Sequence, residues 1–417
     1  MNIQFPSLEG VQLAEFQLRE VCKTTPLELN KRLSEMTGAF VFLKREDLQQ
    51  IRSFKIRGAY NKIASLSEAE REKGIVCASA GNHAQGFAFA CNQLKIHGRV
   101  YMPATTPQQK TAQVNRFGGN FVETVLTGDT YDECQQVAQE TTQKESKIFI
   151  HPFDDKEVIE GQATIGIEML AQQKEGFDYV VVPIGGGGLI SGIITVFNAL
   201  SPHTKIIGVE PEGAQSMKQA LEKGKRIRLK EMDRFVDGAA VRQVGVLPFE
   251  ICKNNLDTII SVPEGKICQT ILDLYNKEGI VVEPAGALAI AALDLIDFDL
   301  KGEKVGVLLC GGNNDILRMP EIKERALLYA NLKHYFIVDF PQRAGALKQF
   351  VNEILGPNDD ITHFEFSKKS NRGVAPAVVG IELKLKEDLQ VLVDQMKNHN
   401  FNFDYLNEKE NLFQFLI

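Results

Sequence analysis

One lysine of this 417-residue chain lies in a setting that suits nucleophilic chemistry. Lys55 stands between Phe54 and Ile56 in the run SFKIRGA, residues 53–59. Apolar neighbours that bury a lysine lower the pKa of its amine, and the neutral amine can act as a nucleophile and then as a base. The alternative is a lysine at a helix start whose stem packs on the surface while its ammonium stays in water.

A run of four glycines is the most informative local feature. It follows one apolar stretch, precedes another, and comprises Gly185, Gly186, Gly187 and Gly188, with Leu189 next. Glycines at a strand-to-helix turn let backbone N–H groups approach an anion closely, and phosphate suits such a loop. A nucleotide site is the weaker interpretation, because G-x-x-x-x-G-K-[ST] is absent and Ile190 occupies the last glycine position of G-x-G-x-x-G. A tight crossover without a ligand is the alternative.

A second turn, SAGNH at residues 79–83, is suited to a carboxylate. It places Ser79, Asn82 and His83 near the start of a predicted helix, where backbone N–H groups point outward. Serine and asparagine at a helix start are also common caps, which is the alternative. His83 has no partner at metal-ligand spacing and no zinc signature is present, so the sequence predicts no metal site.

A buried lysine near a phosphate loop and a carboxylate-binding turn is the arrangement that pyridoxal phosphate requires. The lysine would bind the cofactor covalently, and the protein would orient the cofactor and tune its electronic properties. This hypothesis depends on the fold, since the three stretches lie far apart in the sequence.

The elements that must position these residues follow an α/β pattern. Short β-branched apolar runs predict strands at 74–78, 99–102, 121–125, 147–150, 178–183, 205–210, 257–262 and 304–310. Amphipathic stretches between them predict helices, for example at 106–117, 156–172 and 283–295. Three of the strands run directly into the turns at 79–83, 185–189 and 310–314. Because ligands bind at the carboxyl ends of strands in open α/β sheets, these turns are expected to converge on one site.

The C-terminal part of the chain has a different pattern. About 85 residues from His334 onward show βαββαβ character, which is typical of a small α+β domain. The predicted organisation is therefore a catalytic domain at 1–320, with a small lobe at about 56–154, a linker at 321–333 and a second domain at 334–417.

Composition limits the classes of partner. The net charge is -7, charged residues make up 24%, and no Lys/Arg cluster stands out, so neither a nucleic acid nor an anionic membrane is an expected partner. Seven scattered cysteines without a C-x-x-C pair predict reduced thiols and a cytoplasmic location. The N-terminus shows no pattern of a signal peptide. A small-molecule substrate is therefore expected.

Four motifs in order, SFKIRGA, SAGNHAQG, GGGGL and CGGNND, closely resemble those of the serine/threonine dehydratases of the tryptophan-synthase-β-like family of pyridoxal phosphate enzymes. The resemblance covers about residues 8–320 and implies that family's two-lobed fold. It assigns roles to Lys55 (Schiff-base lysine and base for the substrate Cα proton), Phe54 (beside the ring), Asn82 (ring hydroxyl), Gly185, Gly186, Gly187, Gly188 and Leu189 (phosphate), Cys310 (pyridine nitrogen), and Ser79, Asn82 and His83 (substrate carboxylate).

Two positions bear on the kind of reaction. The resemblance places the neutral thiol of Cys310 against the pyridine nitrogen, which would leave that nitrogen mostly unprotonated and favour loss of a β-hydroxyl over transamination. Related racemases carry a second serine in the carboxylate-binding turn, where this chain has Ala80. Racemisation is therefore disfavoured. The segments Glu283–Gly286 and Phe235–Ala239 also resemble family segments that line the cofactor.

The stretch FIVDFPQRAGAL, residues 336–347, resembles the start of the ACT-like regulatory domain of biosynthetic dehydratases of this family. The resemblance implies dehydration and deamination of L-threonine to 2-oxobutanoate and ammonia for isoleucine synthesis. It also implies feedback inhibition by isoleucine, with valine as a second effector, and a homodimer or homotetramer. A dimerisation module without a ligand is the alternative for this domain. For the whole chain the alternatives are an L-serine dehydratase, a non-catalytic amino-acid sensor and, disfavoured by its glycine spacing, a nicotinamide oxidoreductase.

Overall fold

The computed structural model describes residues 4–366 and 373–409. The chain falls into two compact units, which meet in sequence between Asn314 and Asp315. The residues predicted as a linker, 321–333, lie in the second unit, and most of them are helical. Among the described helices, none combines the length and the apolar character needed to cross a membrane.

The first unit alternates strands and helices. Its strands are β1 (Leu27–Leu29), β2 (Phe40–Arg45), β3 (Ile75–Ala78), β4 (Gly98–Met102), β5 (Val122–Leu126), β6 (Ile148–Phe149), β7 (Tyr179–Pro183), β8 (Lys205–Pro211), β9 (Thr258–Val262) and β10 (Lys304–Leu309). Its helices are α1 (Leu8–Leu18), α2 (Lys31–Thr37), α3 (Lys55–Ala64), α4 (Glu68–Glu72), α5 (Asn82–Leu94), α6 (Gln108–Gly118), α7 (Tyr131–Lys144), α8 (Lys156–Gln172), α9 (Gly188–Leu200), α10 (Ser216–Glu222), α11 (Val246–Asn255), α12 (Glu264–Glu278) and α13 (Pro284–Ala291).

These strands form two sheets. The larger has the order β1-β2-β10-β7-β8-β9 and is parallel except for β1, and the smaller has the order β5-β4-β3-β6 and is parallel throughout. Strand β7 is a continuous buried apolar run from Val180 to Val182, as expected for a parallel sheet covered on both faces. The predicted α/β class with largely parallel sheets is confirmed.

The eight strands predicted from residue 74 onward are present, with no end shifted by more than one residue. The sequence-based prediction omits β1 and β2. Strand β2 ends in Lys44 and Arg45, charged residues that interrupt an apolar pattern. Lys44 is nevertheless fully buried, because its ammonium donates to the carboxylate of Glu168 at 2.5 Å and to the carbonyl oxygen of Thr25 at 2.7 Å.

The second unit has the predicted βαββαβ order. After helix α14 (Met319–Tyr329) its elements are β11 (Lys333–Pro341), α15 (Ala346–Glu353), β12 (Asp360–Phe366), β13 (Val374–Glu382), α16 (Asp388–Asn398) and β14 (Phe403–Tyr405). The strands form an antiparallel sheet in the order β12-β13-β11-β14. Phe340 is central to its core, with ring contacts to Phe350 and Phe401. Residues 367–372 and 410–417 of the predicted domain lie outside the described residues.

Candidate active site

The segment that carries Lys55 is held against the carboxyl end of β10. Ser53 pairs with Gly311 in a short antiparallel bridge, and the N–H of Phe54 donates to the carbonyl oxygen of Cys310 at 3.2 Å. Helix α3 then begins at Lys55 itself. The lysine therefore leaves the backbone at a point fixed to the central sheet.

Lys55 is largely shielded from water and its ammonium faces other groups of the site. Its Nζ donates to the carbonyl oxygen of Pro152 at 2.9 Å and lies 5.2 Å from the centre of the Phe54 ring. Burial lowers the pKa of Lys55 to about 8, although the charges of Cys310 and Glu283 oppose the shift. A larger fraction of the amine is thus neutral near physiological pH than in a solvated lysine.

The glycine loop connects β7 to α9 and leaves no room for side chains. A Cβ atom on Gly186 would lie 2.2 Å from the Phe153 ring, and one on Gly185 would lie 3.0 Å from the Cα of Ala239. Gly187 has φ of +93°, which favours glycine. Among the described residues, no side chain caps the start of α9. The N–H groups of its first turn can therefore bind an anion.

One cavity brings the lysine, the glycine loop and the thiol together. It is lined by Phe54, Lys55, Phe153, Pro183, Ile184, Gly185, Gly186, Gly187, Gly188, Leu189, Gly238, Ala239, Ala285 and Cys310. These include every residue predicted to bind the cofactor except Asn82. These features fit pyridoxal 5'-phosphate. The lysine amine suits the aldehyde, and the glycine loop, which has no side chains and leads into an uncapped helix start, suits the phosphate.

Cys310 is the first residue after β10 and is buried in the wall of this cavity. Its Sγ donates to the carbonyl oxygen of Ala285 at 3.2 Å. Burial raises the pKa of the Cys310 thiol, and the nearby carboxylate of Glu283 raises it further. The group is a neutral thiol at physiological pH.

The turn at residues 79–83, which is predicted to bind the substrate carboxylate, lies beside this cavity and does not line it. The Ser79 hydroxyl accepts from the N–H of Gly81 at 3.2 Å, and α5 starts at the next residue, Asn82. The Nε2 of His83 lies 3.2 Å from the carbonyl oxygen of Ile150. Burial, together with the charge of Lys55, lowers the pKa of His83 to about 3, so its ring is neutral. His83 therefore supplies no positive charge to an anion bound at this turn.

The Asn82 side chain joins the loop after β3 to the loop after β10. Its Nδ2 donates to Glu283 Oε1 at 2.6 Å, and its Oδ1 accepts from Asn313 Nδ2 at 2.7 Å. Asn313 also donates to the carbonyl oxygen of Ile51 at 2.8 Å. The hydrogen bonds to Glu283 and Asn313 fix the orientation of the Asn82 amide.

The segment 151–155 is part of the site and was missed by the sequence-based prediction. Pro152 supplies the acceptor for Lys55, and Phe153 packs on the glycine loop. The carboxylate of Asp154 accepts from the first two N–H groups of α11, those of Val246 and Leu247, at 2.8 and 2.9 Å. The segment follows β6, so the rule that sites form at the carboxyl ends of strands could have identified it.

Comparison with known proteins agrees with the cofactor that this cavity fits. The family model described as "Pyridoxal-phosphate dependent enzyme" matches residues 18–311, and that described as "C-terminal regulatory domain of Threonine dehydratase" matches residues 324–416. The chain is 52% identical to L-threonine dehydratase biosynthetic IlvA of Halalkalibacterium halodurans over 98% of this chain and 99% of that protein. It is 50% identical to the protein of the same name from Bacillus subtilis, over 97% and 96%. The processed form of threonine deaminase isoform 2 from Solanum lycopersicum superposes with a TM-score of 0.72 at 39% identity, over 77% of this chain and 95% of that one.

Proposed function

Because the chain belongs to the family of pyridoxal-phosphate dependent enzymes, we propose that it dehydrates and deaminates L-threonine to 2-oxobutanoate and ammonia, the first step of isoleucine biosynthesis. The observation that carries the proposal is the single cavity that holds a lysine of lowered pKa, an uncapped glycine loop and a neutral thiol. The full-length relatives named threonine dehydratase favour threonine over serine as the substrate.

Different residues of the cavity would hold different parts of the cofactor. The N–H groups of the glycine loop and Leu189 would hold the phosphate, the Lys55 amine would bond to the aldehyde carbon, and Phe54 would pack beside the ring. By the resemblance, Asn82 would hydrogen-bond the ring hydroxyl, and the thiol of Cys310 would lie against the ring nitrogen. When bound, pyridoxal phosphate supplies the electron sink that makes the substrate Cα proton acidic.

Lys55 then acts as a base. The Lys55 amine would remove the Cα proton of the bound substrate, which its lowered pKa permits near neutral pH. The backbone N–H groups around Ser79 and Asn82 would orient the substrate carboxylate, and the neutral ring of His83 would add no charge there. Loss of the β-hydroxyl as water, followed by tautomerisation and hydrolysis, gives the 2-oxo acid and ammonia.

The second unit regulates this reaction. Its match to the regulatory domain of threonine dehydratase supports binding of an amino-acid effector there. The effectors that the resemblance implies are isoleucine, as inhibitor, and valine. The enzyme works as a homodimer or homotetramer in the cytoplasm.

Steady-state release of 2-oxobutanoate from L-threonine tests the proposal. The purified chain with added pyridoxal phosphate should use threonine with a higher kcat/KM than serine, and millimolar isoleucine should suppress the reaction. A preference for serine would make the chain a serine dehydratase. Binding of threonine without release of oxo acid would make it a non-catalytic sensor.

A further inference from the structure

Four charged side chains are buried together on the far side of helix α3 from the cavity. This buried charge cluster consists of Lys44, Glu46, Arg57 and Glu168. Lys44 and Glu46 are fully buried, Arg57 is 1% exposed, and the Glu168 side chain is 15% exposed. The cluster contains two cations and two carboxylates, so its formal charges sum to zero. Because removing charges from water is costly even when they are paired, such a cluster is weak evidence for a gain in stability alone.

Arg57 makes the central contacts of the cluster. Its Nε and Nη2 donate to the two oxygens of Glu46 at 2.9 and 2.8 Å, and its Nη1 donates to Glu168 at 2.7 Å and to the Thr164 hydroxyl at 3.1 Å. The pair with Glu46 is bidentate, which fixes both the position and the plane of the guanidinium. Burial opposes ionisation of Glu46, yet the Arg57 charge holds the pKa of that carboxyl below its usual value.

The partners of Arg57 belong to elements that also build the site. Glu46 follows β2, whose last residue, Arg45, pairs with Leu309 at the end of β10. Cys310 follows Leu309 directly in the sequence. Glu168 and Thr164 belong to α8, which approaches α3 so closely that a Cβ on Gly161 would lie 2.7 Å from the Arg57 carbonyl oxygen. Arg57 thus ties α3 to the sheet edge that carries the thiol.

Helix geometry couples Arg57 to Lys55. Residues two apart on an α-helix are rotated by about 200°, so the two side chains leave α3 on opposite sides. A turn of α3 about its axis, or a shift along it, would therefore move both side chains together. We propose that Arg57 is a positioning residue, which fixes the rotation and height of α3 so that the Lys55 amine meets the cofactor aldehyde. This inference rests on the proposed cofactor chemistry of Lys55.

A lysine at position 57 would keep the positive charge but lose the planar guanidinium, which has several N–H donors. Lysine offers a single ammonium group, which cannot bond both oxygens of Glu46 in one plane while reaching Glu168. Displacement of a reacting group by about 1 Å can cost up to about a hundredfold in rate. We therefore expect Arg57→Lys to slow covalent capture of the cofactor by about tenfold to a hundredfold.

The test measures bond formation at Lys55 rather than turnover. The full-length apoprotein is mixed with pyridoxal phosphate, samples are reduced with borohydride at set times, and the labelled Lys55 peptide is quantified by mass spectrometry. Arg57→Lys is compared with the parent and with Arg32→Lys. The control makes the same substitution at another arginine–glutamate pair, in which Arg32 Nε donates to Glu278 at 2.6 Å. Thermal unfolding of each protein sets a labelling temperature at which all are folded.

The expected result is slow labelling of Lys55 in folded Arg57→Lys and parental labelling in Arg32→Lys. Parental labelling in Arg57→Lys, with only a lower Tm, would assign Arg57 a merely structural role and overturn the inference. If Arg57→Lys does not fold, Thr164→Val decides, because it removes the hydroxyl that accepts from Arg57 and donates to the Gly161 carbonyl oxygen. It should slow labelling about threefold, and labelling at the parental rate would overturn the inference. A parent that is never labelled at Lys55 would instead refute the proposed function.

Discussion

Replacing Gly186 by alanine would force the glycine loop and Phe153 apart. The new Cβ atom would lie 2.2 Å from the Phe153 ring, whereas carbon atoms in contact need about 3.5 Å, so the ring must retreat by about 1.3 Å. The ring is not free to do so. Its own backbone lies against Gly188, where an added Cβ would come within 3.0 Å, and the His151 ring packs at 4.7 Å.

Overpacking of this kind costs about 1–3 kcal/mol of the free energy of unfolding. The displaced loop should also bind phosphate less well. A loss of about 1.4 kcal/mol in binding raises the Kd for pyridoxal phosphate tenfold, and we expect at least that change for Gly186→Ala.

Urea unfolding of the apoprotein and equilibrium titration with pyridoxal phosphate measure the two effects separately. Gly224→Ala is the control, because an added Cβ there meets open space and only the φ of +64° is unfavourable. It should cost about 1 kcal/mol of stability and leave the Kd unchanged. If Gly186→Ala binds pyridoxal phosphate with the parental Kd, the glycine loop does not hold the phosphate.

Three further outcomes are expected. The rate at which the apoprotein captures pyridoxal phosphate should rise with pH around a midpoint near 8, because the neutral amine reacts and burial lowers the pKa of Lys55 to about 8. Stopped-flow mixing measures this rate, and a midpoint near the ordinary lysine pKa of 10.5 would contradict the expectation. Asp154→Ala should cost about 1 kcal/mol in urea unfolding, because it removes the acceptor for the N–H groups of Val246 and Leu247, and an unchanged urea midpoint would show that this cap is dispensable. Phe340→Ala should destabilise the second unit by about 3–5 kcal/mol and abolish inhibition by isoleucine while threonine turnover remains; intact inhibition despite a lowered Tm would argue against an effector site in that unit.

Local sequence patterns were sufficient where a feature depends on neighbouring residues. The apolar run of β7 predicts a buried parallel strand, and the four glycines after it predict a turn that opens a helix. The same holds for Lys55, whose apolar neighbours indicate burial. The roles of these residues came from a resemblance of four ordered motifs, since no periodicity specifies a cofactor.

Features that depend on distant residues could not be predicted in this way. In the sequence, Arg57 looks like an ordinary charged residue of a helix surface. Its burial is explained only by the tertiary structure, in which its Nη1 lies 2.7 Å from the carboxylate of Glu168. Lys44 makes β2 look like an interrupted strand for the same reason. The orientation of the Asn82 amide depends on Glu283 and Asn313, each about 200 or more residues away in the sequence. Side-chain networks of this kind become visible only with the tertiary structure.

The central claim is that Lys55 performs the chemistry on threonine. The most direct measurement compares 2-oxobutanoate release by the parent and by Lys55→Ala, both saturated with pyridoxal phosphate and L-threonine. We expect turnover by the parent and a fall of at least about a thousandfold in kcat for the variant, since one side chain supplies both the covalent attachment and the base. A Lys55→Ala protein that releases 2-oxobutanoate at the parental rate would contradict this role of Lys55.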